Sequence, residues 1–224
     1  SPWSDIRVRK AASLAIDRKT LADIFMPGCS PIGTMALEGD PNGVPFPPDP
    51  YDPAEAKKLL AEAGYPKGFD GGKFYPYEGG YWPYGEQIAT YWKAVGINVE
   101  TVLLDRPAWL AMRDGGKMKG GIVINPEIHP TIGGRLMNTW GRSSYGNYPE
   151  IQAFWEQYRR EVSPKARKEL ITRIQYLIHE KVLYLPLTPA NSPAAFGPRV
   201  KGNPFRIQPL LWFTAPLEDI ELEK

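Results

Sequence analysis

The alternation of short β-branched segments with amphipathic helical segments is the feature that most constrains how this chain folds. Such alternation is typical of an α/β fold, in which helices connect strands by right-handed crossovers. The sequence predicts strands at 73–77, 97–105, 120–125 and 182–187. It predicts helices at 5–16, 18–26, 53–63, 84–96, 105–114, 149–162 and 163–181, with a long loop at 27–50.

The stretch "YDPAEAKKLLAEAGYPKGF", residues 51–69, shows how clearly the ends of these helices are marked. Asp52 is suited to cap the N-terminus and Pro53 to occupy the first helical position. Glu55 is expected to return a hydrogen bond to the Asp52 amide, and Gly64 to supply the left-handed residue that ends the helix. The following residues are rich in Gly, Pro and aromatic side chains. Because ligands of α/β sheets bind in the loops beyond the strand ends, this region is a candidate site.

The charged and reactive residues argue against several classes of function. The net charge is +2 with both signs interspersed, which is unlike the dense basic stripe of a nucleic-acid-binding protein. The single cysteine, Cys29, permits no intrachain disulfide and forms no recognisable zinc site with the two separated histidines, so we expect no cofactor and no metal. No apolar run approaches the ~18 residues of a membrane helix. The first residues already have an amphipathic, folded pattern without a signal peptide, so we expect the chain to be a piece of a longer protein.

Five stretches in a fixed order carry a resemblance to one family. They are "SDIRVRKAASLAIDRKTLAD", "YDPAEAKKLLAEAGYPKGF", "EQIATYWKAVGINVETVLLD", the segment 146–187 and the closing "LEDIELEK". Together they resemble the extracytoplasmic solute-binding proteins of ABC importers, in the dipeptide, oligopeptide and nickel class. The resemblance extends over nearly the whole chain.

This resemblance implies a two-lobed protein that traps its ligand between lobes closing about a hinge. Residues 1–190 would form the C-terminal lobe, an α/β lobe of the type II periplasmic-binding-protein kind with a mixed sheet flanked by helices. Residues 191–224 would form a tail that returns to an N-terminal lobe absent from this chain. The partners implied are a small-molecule solute and a membrane-embedded ABC permease, with no nucleic acid and no catalysis. The location implied is the periplasm or the cell surface.

The first group of candidate ligand residues is aromatic and surrounds the loop "EGGYWPYGE" at 78–86. Aromatic side chains give rigid contact area at little entropic cost, so they are suited to enclose a ligand. The alternative is that two of them pack against neighbouring helices. The candidates are Tyr77, Tyr81, Trp82 and Tyr84, with Trp82 favoured because two glycines precede it.

The second group lies in "VINPEIHPT" and the residues after it. Peptide-binding members of the resembling family carry an aspartate here that pairs with the ligand's amino group, and this sequence has none. The candidates are Asn125, Glu127, His129 and Arg135. Arg135 is suited to grip a carboxylate, with a surface ion pair as the alternative. Because an unpaired ammonium is expensive to bury, we expect a ligand that is neutral or anionic at this end, such as a sugar or an aromatic acid.

Two other functions remain open from the sequence. The chain could be a protein-interaction module that exposes an aromatic surface, or a hydrolase using Asp or His, although no nucleophile–base signature is present. The apolar run at 210–213 in the tail is expected to favour dimers of the isolated chain.

Overall fold

The computed structural model describes residues 1–78, 81–124, 129, 131–138, 148–188, 197–201 and 220–223. A 3-10 turn, Pro2–Ser4, opens the chain. The α-helices in the described residues are α1 (Ile6–Leu14), α2 (Arg18–Phe25), α3 (Pro53–Glu62), α4 (Trp82–Val95), α5 (Arg106–Asp114), α6 (Ile132–Asn138), α7 (Pro149–Arg160) and α8 (Pro164–Glu180). The strands are β1 (Phe69–Tyr75), β2 (Ile97–Thr101), β3 (Ile122–Val123), β4 (Val200–Lys201) and β5 (Glu221–Leu222).

The sheet that positions the candidate site has the strand order β2-β1-β3 and is parallel throughout. Phe74 of β1 lies opposite Thr101 on one side and Ile122 on the other. A shift in register between Asp70 and Gly72 accommodates a bulge in β1. Because all three strands run the same way, their carboxyl ends meet at one edge of the sheet, which we call the carboxyl edge.

The N-terminal cap and the terminal glycine predicted for α3 are confirmed, and α2 and α5 have carboxylate caps as well. Carboxylates of Asp17, Asp52 and Asp105 accept hydrogen bonds from amides of the first turns of α2, α3 and α5. Gly64 follows α3 with a φ of +92°, in the left-handed region. The expected bond from Glu55 back to the Asp52 amide is wrong, because that amide donates to the Leu14 carbonyl at 2.8 Å instead. The packing of α3 against α1 thus supplies the acceptor for the Asp52 amide in place of the Glu55 side chain.

The first core is formed by the four helices α1, α2, α3 and α4 together with strands β1 and β2. Trp92 of α4 is almost fully buried in it and its indole N–H donates to the Ala12 carbonyl at 2.9 Å. Trp3 packs against this core, and its indole N–H donates to the Gly71 carbonyl at 2.9 Å. The fully or nearly fully buried residues of the first core are Val8, Ala11, Ala12, Ala15, Ile16, Leu21, Ala56, Leu60, Phe74, Tyr84, Ile88, Trp92, Val95 and Ile97.

A second core joins α6, α7 and α8, and a small third core lies under α5. The second core contains Ile132, Ile151 and Ile174, together with Ala36 from the long loop at 26–52. The third core consists of Tyr75, Trp109 and Met118. The long loop therefore packs against helices far away in the sequence, and the third core lies beneath the carboxyl edge.

Two arginines tie α1 and α2 to the segment that leaves α8. Arg9 donates to the carbonyls of Lys181 and Val182 at 2.7–3.1 Å. Arg18 donates to the Pro186 carbonyl at 2.8 Å. The sequence predicted a strand at 182–187, but residues 183–188 form none. The Pro186 carbonyl accepts from the Arg18 side chain and the Leu187 carbonyl from the Ile32 amide, so neither is bound by a neighbouring strand.

Other elements differ from their predictions in position. The first strand covers 69–75 rather than 73–77, because Pro76 cannot donate to a ladder. Helix α6 was not predicted, since its two adjacent glycines lower the helix propensity. The α/β class with flanking helices is confirmed, but within the described residues the sheet is parallel rather than mixed, and β4 and β5 form a separate antiparallel pair. Most of the tail at 191–224, including the apolar run at 210–213, lies outside the described residues.

Candidate functional site

Three loops begin at the carboxyl edge, one after each strand of the sheet. The first follows Tyr75, the second follows Thr101 and the third follows Val123. Two hydrogen bonds continue the ladder past the strand ends: the Val102 amide donates to the Phe74 carbonyl at 2.8 Å, and the Ile124 amide donates to the Tyr75 carbonyl at 3.2 Å. The loops therefore start from fixed positions beside one another.

Tyr77 lies in the first loop and rests on the third core. Its ring meets the ring of Trp109 edge-on, with 4.9 Å between centroids and an interplanar angle of 86°. Trp109 is fully buried and its indole N–H donates to the Tyr75 carbonyl at 3.4 Å. The Tyr81 ring also meets the Tyr77 ring edge-on, with 5.8 Å between centroids. Burial raises the pKa of both tyrosines above the usual value. Tyr77 and Tyr81 thus form an aromatic pair seated on a rigid base.

Trp82 is the first residue of α4 and is only partly buried. Its indole nitrogen is nevertheless inaccessible to solvent, and it has no hydrogen-bond partner among the described residues. A buried donor without an acceptor costs about 1–3 kcal/mol, so such groups are concentrated at sites with a functional reason. Trp82 therefore offers a hydrogen bond that the described part of this chain does not use.

Tyr84 belongs to the first core and is 3% exposed. Its ring packs edge-on against Phe25 at 5.6 Å, and its hydroxyl group lies 3.2 Å from the Thr188 hydroxyl. Burial raises its pKa. For Tyr84 the structure favours the packing alternative, because the side chain points into the core.

Arginines that the sequence analysis did not single out also lie at the carboxyl edge. Arg106 opens α5, and its guanidinium is 3.6 Å from the Glu78 carboxylate in the first loop. Arg113 lies over the Trp109 ring with 5.2 Å between its Cζ and the ring centroid. Arg106 follows the cap that ends the loop after β2, so the rule that ligands bind at strand ends would have selected it.

His129 and Arg135 flank the start of α6. The Arg135 side chain is 7% exposed and its Nε donates to the His129 carbonyl at 2.7 Å. An added Cβ on Gly134 would approach the His129 imidazole to 2.9 Å, so the ring lies directly against the glycine. Arg135 is therefore not the surface residue that the ion-pair alternative requires; it holds the loop that carries His129. Asn125 and Glu127 lie outside the described residues.

A cavity of about 380 Å³ lies elsewhere, between α1 and the end of α8. Its lining includes Arg18, Asp49 and His179. The Arg18 guanidinium is already bonded to the carbonyls of Ser13 and Pro186, so it has little left to offer a ligand. Within the described residues no group of His, Cys, Asp and Glu is arranged to hold a metal ion. Nor does any described helix have the length and apolarity to cross a membrane.

Comparison with known proteins gives a family match. The family model described as "Bacterial extracellular solute-binding proteins, family 5 Middle" matches residues 1–122. That range contains α1 to α5 and the first two strands of the sheet, and ends at the start of the third. It therefore includes two of the three strand ends that form the carboxyl edge.

Relatives match over most of this chain but over less than half of their own length. Heme-binding protein A of Haemophilus influenzae is 25% identical over 234 residues, which is 90% of this chain and 40% of that protein. The structure of NikA from Brucella suis in complex with Fe(III)-EDTA superimposes with a TM-score of 0.72 and 20% identity, over 98% of this chain and 48% of that one. A dipeptide-binding protein from Pseudoalteromonas in complex with Met-Leu gives a TM-score of 0.67 and 19% identity, over 83% of this chain and 39% of that one. The chain therefore has the fold of these proteins.

Proposed function

This chain belongs to the bacterial extracellular solute-binding proteins of family 5, and we propose that it forms one lobe of a receptor that captures a small solute for an ABC importer. The solute is held between this lobe and a second lobe, with the carboxyl edge as this lobe's face of the cleft. A membrane-embedded permease receives the solute, and the receptor works outside the cytoplasm, in the periplasm or at the cell surface. The protein binds its solute reversibly and does not transform it.

The observation that carries this proposal is the arrangement of Tyr77, Tyr81 and Trp82 at the carboxyl edge. Tyr77 is braced by the buried Trp109, so its ring presents a surface whose position is set before a ligand arrives. Pre-organised aromatic surface lowers the entropic cost of binding. Trp82 adds a buried N–H donor without a partner among the described residues. Rigid aromatic faces with a few polar groups are the usual lining of small-molecule sites.

The charges at this edge favour a solute that is neutral or anionic where it meets this lobe. Glu78 is 3.6 Å from Arg106, so its charge is already balanced. The Arg113 guanidinium over the Trp109 ring is likewise paired, with the Asp114 carboxylate at 2.8 Å. A ligand ammonium placed here would need an unpaired carboxylate to offset its desolvation, whereas ligand oxygens would accept hydrogen bonds from the exposed Arg106 guanidinium.

Calorimetry on a longer protein that contains both lobes tests the proposal. Suitable probes are Met-Leu, N-acetyl-Met-Leu, glutathione, haem and Fe(III)-EDTA, with product analysis after prolonged incubation to detect turnover. We expect binding without turnover, and N-acetyl-Met-Leu at least as tight as Met-Leu if either peptide binds. Micromolar binding of Met-Leu that Glu127→Gln abolishes would contradict the proposed ligand chemistry. Conversion of a probe to product would contradict the receptor function itself.

The same measurement on this chain alone tests whether the site is shared between lobes. A cleft ligand usually buries most of its surface, and one lobe covers one side of it. Losing half of the contacts should cost several kcal/mol, so a micromolar affinity would fall to about millimolar. Equal affinities for the chain and the longer protein would mean that the site lies wholly in this lobe.

A further inference from the structure

We propose that Asp40 is a positioning residue for the solute-binding edge, because it holds the start of α6 and, through Arg135, the loop that carries His129. This inference rests on the function proposed above and deepens it. Asp40 lies in the long loop at 26–52, remote from the edge in sequence.

The first contact joins Asp40 to α6. One carboxylate oxygen of Asp40 accepts from the Asn42 amide at 2.9 Å, which closes a local turn. The other oxygen accepts from the amide of Ile132, the first residue of α6, at 2.5 Å. The amides of the first helical turn have no partner within the helix, so an acceptor from another segment fixes where the helix begins.

The second contact joins α6 to His129. Arg135, one turn into α6, donates from its Nε to the His129 carbonyl at 2.7 Å. The imidazole lies against Gly134 on the same helix, at a distance that leaves no room for a Cβ. Both the backbone carbonyl and the imidazole ring of His129 therefore contact α6. A displacement of the start of α6 must move His129 relative to the ends of β1 and β3.

The long loop is held independently of Asp40. The buried side chain of Gln175 in α8 accepts from the Val44 amide at 2.9 Å and donates to the Asn42 carbonyl at 2.8 Å. Phe46 stacks on His179 of α8, with 3.9 Å between ring centroids and an angle of 2° between planes. Removing the Asp40 carboxylate should therefore free α6 and leave the loop in place.

The two histidines of the chain make this separation measurable. His129, in the connection that follows β3, reports the position of the residue that α6 holds, and His179 reports the stack of Phe46 on α8. The imidazole Cε1–H signals of the ¹³C-labelled chain can be assigned with His129→Gln and His179→Gln. The experiment compares these two signals, and amide exchange at Ile132, between the unchanged chain and Asp40→Ala.

We expect Asp40→Ala to shift the His129 signal and to leave the His179 signal in place. Exchange of the Ile132 amide should become roughly five- to tenfold faster, the factor that corresponds to the loss of one helix cap. Asp52→Ala is the matched control, because it removes a carboxylate that accepts from an amide of α3 at 2.9 Å. That control should shift neither histidine.

Two results would overturn the inference. If neither histidine moves in Asp40→Ala, the bond to Ile132 does not set the position of the edge. If both move, Asp40 merely holds the long loop and its role is structural. Should Asp40→Ala fail to fold, Asp40→Asn decides the matter, since it keeps one acceptor oxygen for two amides. A shift of His129 alone then supports the inference, and any other pattern overturns it.

Discussion

Helix α4 carries two tryptophans, Trp82 at its start and Trp92 near its end, and the two differ in what their N–H groups do. Trp92 is buried in the first core and donates to the Ala12 carbonyl of α1. Trp82 begins the helix at the carboxyl edge, and its N–H has no acceptor among the described residues. The same side chain thus joins two helices at one end of α4 and offers an unused donor at the other.

The arginines repeat this difference. Arg18 is 3% exposed and its donors bind the Ser13 and Pro186 carbonyls and the Ser13 hydroxyl. Arg106 at the carboxyl edge is 62% exposed along its side chain and makes one ion pair, to Glu78, among the contacts described. In the first core, polar groups are used to bind the chain to itself. At the carboxyl edge the Arg106 guanidinium remains exposed to another molecule, which is the pattern expected of a binding face.

The largest effect is expected from removing the charge in the core. Arg18→Met leaves two carbonyls without their donor, and it removes the guanidinium 3.7 Å from the Asp49 carboxylate, which is 40% exposed and keeps the Ser13 hydroxyl as a donor. Leaving a buried acceptor unpaired costs about 1–3 kcal/mol, and two carbonyls are affected, so the free energy of unfolding should fall by about 3–4 kcal/mol. Urea denaturation measures it. Lys19→Met is the control: Lys19 is the residue after Arg18, and its exposed ion pair with Asp23 should contribute little to stability. Equal effects of the two substitutions would refute the comparison.

A smaller difference is expected between the two tryptophans of α4. Trp92→Phe leaves the Ala12 carbonyl without a donor and creates a void in the first core, so it should destabilise by about 2–3 kcal/mol. Trp82→Phe removes a buried N–H that is unpaired in the described residues, and relief of its cost of about 1–3 kcal/mol offsets the smaller ring, so the free energy of unfolding should not fall. Urea denaturation measures the free energy of unfolding of the two variants, which are compared when this free energy falls with urea at the same slope in both. A greater loss in Trp82→Phe would show that its N–H has an acceptor after all.

Removing the edge arginine should scarcely change stability. Exposed ion pairs contribute about 0–1 kcal/mol, and the pair between Arg106 and Glu78 is long, at 3.6 Å, so Arg106→Gln is expected to stay within ~0.5 kcal/mol of the unchanged chain. In the two-lobed protein the same substitution should weaken an anionic solute more than a neutral one. Thermal unfolding checks the first expectation and calorimetry the second. Equal weakening of both kinds of solute would mean that Arg106 does not face the ligand's charge.

The smallest effect concerns Asp5, on the solvent side of the first core. Hydrogen bonds from Arg7 lower the pKa of the Asp5 carboxyl from 3.8 to about 2. Because the folded pKa is the lower one, the stabilisation is present above pH 3.8 and is lost as the pH falls towards 2. Asp5→Asn should therefore remove a shallow rise in stability between these values. Urea titrations at several acidic pH values measure the slope. An unchanged slope in Asp5→Asn would mean that other carboxyl groups account for it.

Local signals in the sequence predicted the helices and their ends well, because caps and terminal glycines act within a few residues. Asp52 caps α3 as expected, and Asp17, Asp105 and Ser163 cap α2, α5 and α8 in the same way. The carboxyl-edge prediction selected the loop with Tyr77 and Tyr81 but also included Tyr84, which lies three positions after Tyr81 and belongs to the first core. A helix that begins at Trp82 rather than Tyr84 turns successive residues to different faces, and the sequence did not define that starting point.

The sequence by itself determined the α/β class, the capped helices and the family, since these depend on periodicity, on chemistry between near neighbours and on motifs in a fixed order. Only the tertiary structure decided which polar groups form hydrogen bonds within the chain and which stay exposed. Arg135 and Arg106 are both arginines near strand ends, yet one is buried against the His129 carbonyl and the other is exposed beside Glu78. Asp40 and Asp52 are both loop aspartates, yet Asp40 accepts from a helix that begins 92 positions further along. A hydrogen bond between distant segments depends on where the packing of the cores places them, and no local pattern records that position.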